Sequence, residues 1–153
     1  MATPVIVGSG ADRRIAWNVS ANVGVSSPNN TLDVQLVQLG YFCAKDRSNF
    51  YDAATRAIFA QVFPGASYSG QENDPLTRAI RAQEKARGGP RDGHVSVMSN
   101  LTTQSYDGGT HGYLIVRLSN LIMFAMRRDF PRIDKHPMCP PLLRAFAINA
   151  CVR

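Results

Sequence analysis

Ser69-Gly70-Gln71-Glu72-Asn73-Asp74-Pro75-Leu76-Thr77-Arg78-Ala79-Ile80-Arg81-Ala82-Gln83-Glu84-Lys85-Ala86-Arg87-Gly88-Gly89-Pro90 is the stretch on which the reading of this chain turns. Asp74 stands where an N-cap carboxylate accepts an orphan N–H of a first helical turn. Pro75 follows at the first helical position, where its missing N–H removes nothing. Leu76, Ala79, Ile80 and Gln83 then share one face, and Gly88-Gly89-Pro90 ends the helix. The opposite face carries Arg78, Arg81, Glu84, Lys85 and Arg87, either as a solvated face or as one that meets anions.

Two further helices are expected upstream. One starts near Asn30 or Thr31, where Asn30 and Asp33 form a weak capping box. Val34, Val37 and Tyr41 give it helical spacing, and Gly40 suggests that it ends there or soon after. The other runs from about Asp52, a plausible cap, to Val62, with Ala54, Ile58 and Val62 four apart. Phe63-Pro64-Gly65 stops it. Ala66 to Asn73, with Tyr68 and Gly70, reads as a loop. Gln38 and Gln83 are polar residues on largely apolar faces, so they bond backbone across helices or face a groove. The small Ala79 permits close approach, and the Ala79/Ile80 side is expected to dock on the segment holding Val34 and Val37.

From about Ser27 to Val97 the chain resembles the peptidoglycan-binding-domain-like family, a small three-helix module. Its first-helix pattern, Val-x-x-Leu-Gln-x-x-Leu, is echoed by Val34-Gln35-Leu36-Val37-Gln38-Leu39-Gly40-Tyr41, which keeps the Val, an aliphatic residue and the Gln. Its last helix opens with Asp-Gly-x-x-Gly-Pro-x-Thr, then Ala-Val/Ile and Phe-Gln. Here Gly70, Pro75, Thr77, Ala79, Ile80 and Gln83 match. Ser69 replaces the Asp, Asp74 the Gly before Pro, and Ala82 the Phe, and the loop before Gly70 is long. The resemblance covers about half the chain. It implies a mainly α fold and a binding role for cell-wall glycan. Related modules also serve as adaptors in secretion systems and phage particles. For a glycan ligand the candidate residues are Tyr41, Tyr68, Asn73 and Arg78, which belong to or border the loop before the third helix.

Outside that module, residues 1–26 read as an extended arm punctuated by Pro4, Gly8, Gly10 and Gly24. Ile15, Trp17 and Val19 alternate in it as a short strand does. Trp17 is either a core plug or a ligand platform. His94 to Met98 alternates like a strand, and residues 99–112 read as a loop. Tyr113 to Arg128 has apolar residues three and four apart, which argues for a buried helix, although Tyr113 to Val116 also suits a strand. Arg127 and Arg128 would sit at its negative pole. A last short helix runs from Leu142 to about Ala150, after Cys139-Pro140-Pro141. The expectation is a single mainly α domain of 153 residues: an arm (1–26), a three-helix core (27–97) with short β segments, and a helical C-terminal extension (98–153) packed on it.

Composition sets limits. Hydrophobic residues are 44% and charged residues 18%, as in ordinary globular domains. Seventeen Lys and Arg against 11 acids give +6. That favours anionic partners, or serves solubility alone. The basic residues are spread along the chain, and no run is dense enough for a nucleic-acid patch. The partner that the resemblance implies is a cell-wall glycan or another protein, with nucleic acid behind both. The sequence leaves the oligomeric state open.

No stretch reaches the roughly 20 apolar residues of a membrane span, and the N-terminus lacks the apolar run of about 7–15 residues that marks a signal peptide. The chain is expected to be made in the cytoplasm and, if it works outside, to leave by a non-classical route.

Catalysis is not expected. Cys43 sits in a core-like Tyr-Phe-Cys-Ala run, and His136-x-x-Cys139 is half a metal site without a second pair. Asp107 and His111 lie in a Gly-rich loop. There is no Gly-rich phosphate loop and no Gly-x-Ser-x-Gly, so no cofactor is expected. Cys139 and Cys151 either bridge or remain buried thiols beside Cys43.

Overall fold

The computed structural model describes residues 2–8, 10–88, 91–99 and 113–151. Among these residues the fold is helix-rich, with two small antiparallel sheets. A hairpin of β1 (Thr3–Val7) and β2 (Arg14–Asn18) comes first, then β3 (Val23–Gly24). Helices α1 (Thr31–Ala44), α2 (Ala53–Phe59) and α3 (Pro75–Arg87) follow, then β4 (His94–Val95), α4 (Leu114–Met126) and α5 (Pro141–Ala150).

The expected arm is part of the core. In β1–β2, Val7, Ala16 and Trp17 turn inward, while Ile6 and Ile15, opposite each other in register, face solvent. β2 lies on α4. The Trp17 backbone N–H donates to Ser119 Oγ at 2.8 Å, and its Nε1–H donates to the Pro131 carbonyl at 3.0 Å. With 0% of its surface exposed, Trp17 is a core plug.

Helix α1 ends soon after Gly40 rather than at it. It continues to Ala44 because Gly40 is where α4 crosses: a Cβ there would lie 2.9 Å from Leu118 Cβ. Glycine costs a helix about 1 kcal/mol against Ala, and the close approach of two helices offsets it. Gly40→Ala therefore sets a propensity gain of about 1 kcal/mol against overpacking of about 1–3 kcal/mol. The clash is with a backbone-anchored atom, so overpacking wins. A lower melting temperature is expected, and a higher one would show that the helices can part without loss.

The Asn30–Asp33 pairing also differs from a capping box. Asn30 makes no side-chain cap bond. Asp33 points outward from the first turn to hold the preceding loop. Its Oδ1 accepts the Ser20 N–H at 3.0 Å, and its Oδ2 accepts the Ser20 hydroxyl at 2.7 Å and the Ala21 N–H at 3.1 Å.

The expected docking of the Ala79/Ile80 face on the Val34/Val37 segment is corrected. All four side chains are buried in one core. The main neighbour of α1, however, is α4, whereas α3 packs chiefly on α2. Tyr41 O–H links α1 to α3 by donating to Gln83 Oε1 at 2.7 Å. α4 is thus a central element rather than an addition to a finished three-helix core. Its first residues are helical from Leu114, which settles the choice between helix and strand.

Shorter corrections have local causes. α2 stops at Phe59, because Gln61 and Val62 bond back three residues, to Ile58 and Phe59, in a tighter turn. The His94–Met98 strand is cut to β4. Beyond it, Asn22 Oδ1 accepts the Val97 N–H and Asn18 Oδ1 accepts the Met98 N–H, in place of a strand partner. Residues 100–112 of the expected loop lie outside the described residues.

Candidate functional site

The loop before α3 is built by its two ends. At the far end the Asp74 carboxylate works twice. Oδ1 caps α3 by accepting the Leu76 N–H at 2.9 Å, and Oδ2 accepts both the N–H and the hydroxyl of Ser69 at 3.0 Å. At the near end Gln38 Oε1 accepts the Gly65 N–H, and its Nε2 donates to the Ala66 carbonyl, both at 2.9 Å. Gln38 therefore serves loop backbone. Gln83 does not: its Oε1 accepts from Tyr41 and its Nε2 donates to the Tyr51 hydroxyl at 3.0 Å.

Three of the four sequence-selected residues gather here. Tyr68 is half-buried, its hydroxyl 2.8 Å from Thr77 Oγ1. Asn73 is exposed. Arg78 is exposed and donates to Gln61 Oε1 at 3.0 Å. Tyr41 is not among them. It is 0% exposed, tilted against Phe59 with ring centres 5.1 Å apart, and burial pushes its hydroxyl pKa well up. It offers no ring face to a ligand, because a helix that is buried nearly all round leaves Tyr41 no route to the surface.

Beside this loop α2 and α3 enclose an open groove of about 510 Å³. Ala54, Ile58, Ala82 and Ala86 form an apolar lining. Polar side chains border it: Arg78, Arg81 and Lys85 from α3, Asp52 from the start of α2, and Glu72 from the loop. Tyr68 and Asn73 do not line it. Of the four candidate residues for a glycan ligand, only Arg78 lines it, and charged side chains of both signs accompany it. Arg81, Lys85 and Glu72 were missed as site residues. The available signal was the shared α3 face of residues 78, 81 and 85.

Arg81 is a strut. Its Nη2 and Nε donate to the two Glu72 oxygens at 2.8 and 3.4 Å, and its Nη1 donates to the Arg91 carbonyl at 2.9 Å. The bond from Arg81 holds the Glu72 carboxyl below its usual range. Gly93 is required where the strut passes: its φ is +77° and a Cβ there would lie 2.8 Å from Arg81 Cζ.

Beneath the strut, Glu84 is only 2% exposed. Its Oε1 accepts the Gly93 N–H at 2.8 Å, and Oε2 has no hydrogen-bond partner. Burial raises its pKa, with the Asp92 carboxyl adding to the rise and the Gly93 N–H opposing it. A raised folded-state pKa means that the folded form holds the proton more tightly. The stability from protonated Glu84 is fully present below the ordinary carboxyl range and is lost as pH rises through the raised value. Glu84→Gln keeps the acceptor for Gly93 and supplies a donor toward Asp92. The variant should be more stable than the parent by about 1 kcal/mol at pH 7, with the gap closing toward pH 4. Urea titrations across that range test this, and a gap independent of pH would show that Glu84 is not the titrating group.

The nucleophile and metal candidates have structural employment. Cys43 Sγ lies 3.7 Å from His136 Nε2. His136 Nδ1, however, accepts the Met138 N–H at 3.1 Å. Nε2 then carries the hydrogen in the neutral ring and cannot take a proton from the thiol. Burial pushes the Cys43 thiol up to about 12 and Cys139 up to about 11. All three cysteines are free thiols, which settles the choice at Cys139 and Cys151. The His94 ring is engaged in holding the Val25 carbonyl, with Nε2 at 2.7 Å from it. Asp107 and His111 lie outside the described residues. No group of three or more His, Cys, Asp or Glu suited to a metal occurs among the described residues. None of their helices is long and apolar enough to cross a membrane. Comparison with protein-family models, curated proteins and solved structures returned no match.

Proposed function

We propose that this chain is a non-catalytic binding module for peptidoglycan or a related cell-wall glycan, which it takes in the groove between α2 and α3. The observation that carries the reading is the make-up of that groove, an apolar lining beside hydrogen-bond donors. A sugar strand has the matching surface, with C–H faces and hydroxyl edges. The resemblance of residues 27–97 to the peptidoglycan-binding-like module suggests the class of ligand and not the groove. The departure at Ala82 is of interest because the small side chain lies in the groove lining, where the family's Phe would fill the space.

Ala82→Phe tests the site. It should lower retention on purified insoluble peptidoglycan about tenfold, a loss of about 1.4 kcal/mol, without lowering the melting temperature. Undiminished retention removes the groove as the site. A parent protein that is not retained at modest salt removes the glycan reading. Tyr68→Ala and Asn73→Ala ask separately whether the loop takes part.

One observation favours a second reading, a structural or adaptor protein of a secretion system or phage particle. Ile6 and Ile15 are 51% and 44% exposed on the outer hairpin face, beside an apolar cleft of about 240 Å³ that also meets Pro131, Ala150 and Cys151. Residues 113–126 offer no such flat patch, because Leu114, Ile115, Val116, Leu118, Leu121 and Ile122 are buried.

A further inference from the structure

The packing of α1 on α4 brings together aromatic and basic residues that lie far apart in the chain. Phe50 is 52% exposed and sits in the turn after α1, where its N–H donates to the Arg47 carbonyl. Its ring stacks with that of Phe124, from the last turn of α4, with centres 5.8 Å apart and planes at 28°. The Arg47 guanidinium lies 5.9 Å from the centre of the Phe124 ring. Beside it, Lys45 Nζ lies 4.5 Å from the centre of the Phe42 ring, which meets the His136 ring edge-on at 6.1 Å. Arg127 and Arg128, both exposed, follow Phe124 at the end of α4.

The acids nearby have other engagements. Asp46 pairs with Lys45 at 2.6 Å and Asp129 with Lys135 at 3.1 Å, and Asp52 lines the α2–α3 groove. With all three counted against Lys45, Arg47, Arg127, Arg128 and Lys135, the patch stays positive by two. Arg47 Nε is buried and donates to no acceptor. Buried donors without a partner are rare in folded proteins, and a guanidinium so placed suits an anionic oxygen.

We infer that this surface binds single-stranded nucleic acid, a base stacking on the exposed ring of Phe50 and neighbouring phosphates meeting Arg47 and the Arg127–Arg128 pair. Aromatic rings for the bases and cations for the backbone are how single strands are held without regard to sequence. A duplex fits less well, because its bases keep their faces covered by their neighbours. A neutral sugar strand could lie on the ring but leaves the guanidinium unanswered. A lipid surface asks for apolar side chains that project, and Phe50 is instead stacked on Phe124. None of Phe50, Phe124, Arg47, Arg127 and Arg128 lines the α2–α3 groove, so this inference and the glycan reading stand or fall separately.

The test follows the fluorescence anisotropy of a labelled thymidine oligonucleotide of about 12 nucleotides as the full chain is added. Affinity is expected to fall steeply as salt rises and to exceed that for a duplex of the same length. Phe50→Ala should weaken binding about tenfold, within the range for one lost base stack, and Phe50→Trp should retain it. Phe50 is exposed, so its replacement keeps the fold, which a circular dichroism melt checks. Arg47→Gln should lower the slope of log affinity against log salt by about 1. Arg78→Gln, an exposed cation on α3, is the control for net charge. A loss there as large as that of Arg47→Gln overturns the inference, because total charge is then enough. Equal affinity for single strand and duplex, or a Phe50→Ala variant that binds like the parent, overturns it as well. So does failure to bind the oligonucleotide, and retention on phosphatidylglycerol vesicles in that case would make the patch a lipid-binding surface. A uridine oligonucleotide run beside the thymidine one separates RNA from DNA, and tighter binding of either supports the inference.

Discussion

Trp17→Ala is expected to destabilise the protein by about 4 kcal/mol, within the range for removing a buried aromatic side chain. Trp17 is 0% exposed, so the whole ring volume becomes a cavity between the hairpin and α4. The Pro131 carbonyl also loses the indole donor at 3.0 Å. The bond from the Trp17 backbone N–H to Ser119 survives because it needs no side chain. Domains have about 5–15 kcal/mol in total, so the variant should melt far lower or fail to fold near body temperature. Urea denaturation followed by circular dichroism measures the loss. A cost near 1 kcal/mol would mean that the hairpin is a detachable arm.

Asp33→Ala should cost about 3 kcal/mol, because unpaired buried polar groups cost about 1–3 kcal/mol each. Asp33 is fully buried and holds two backbone N–H groups and one hydroxyl. Water can reach part of the loop, since Ser20 is exposed and Ala21 only half-buried, which keeps the loss below the sum of three bonds. Asp33→Asn keeps one acceptor and should fall between parent and Ala variant. A loss equal to Ala would show that the second oxygen carries the effect.

These two residues also show what sequence can and cannot disclose. Asp74-Pro75 announced α3 correctly because capping and φ restriction are local. Gly88 closes the helix in the left-handed conformation, again a local property. Asp33 was seen as a cap partner because it lies at the right offset, but its oxygens were claimed by Ser20 and Ala21, which no helical spacing reveals. Gly40 was read as the sign of a nearby helix end, again from a local rule. Its real cause, Leu118, lies 78 positions away in the chain. The Ala79/Ile80 face was correctly read as buried, yet its neighbour was assigned wrongly, since periodicity says which side turns inward and not what it meets. The site was legible to a similar degree. Tyr68, Asn73 and Arg78 were placed around one loop, whereas the α2–α3 groove depends on two helices lying side by side. Ala82 was noted as a departure from a pattern, but its place in the groove lining needed coordinates.

The crossing of α1 by α4 constrains how the chain comes together during synthesis. Gln35 in α1 accepts the Leu143 N–H, and α1 has its chief neighbour in residues 114–126. A nascent polypeptide that has emerged only as far as β4 leaves an apolar helix uncovered until α4 leaves the ribosome. Contacts between such distant segments slow assembly. While it waits, that uncovered helix is open to association with other chains or to capture by a chaperone.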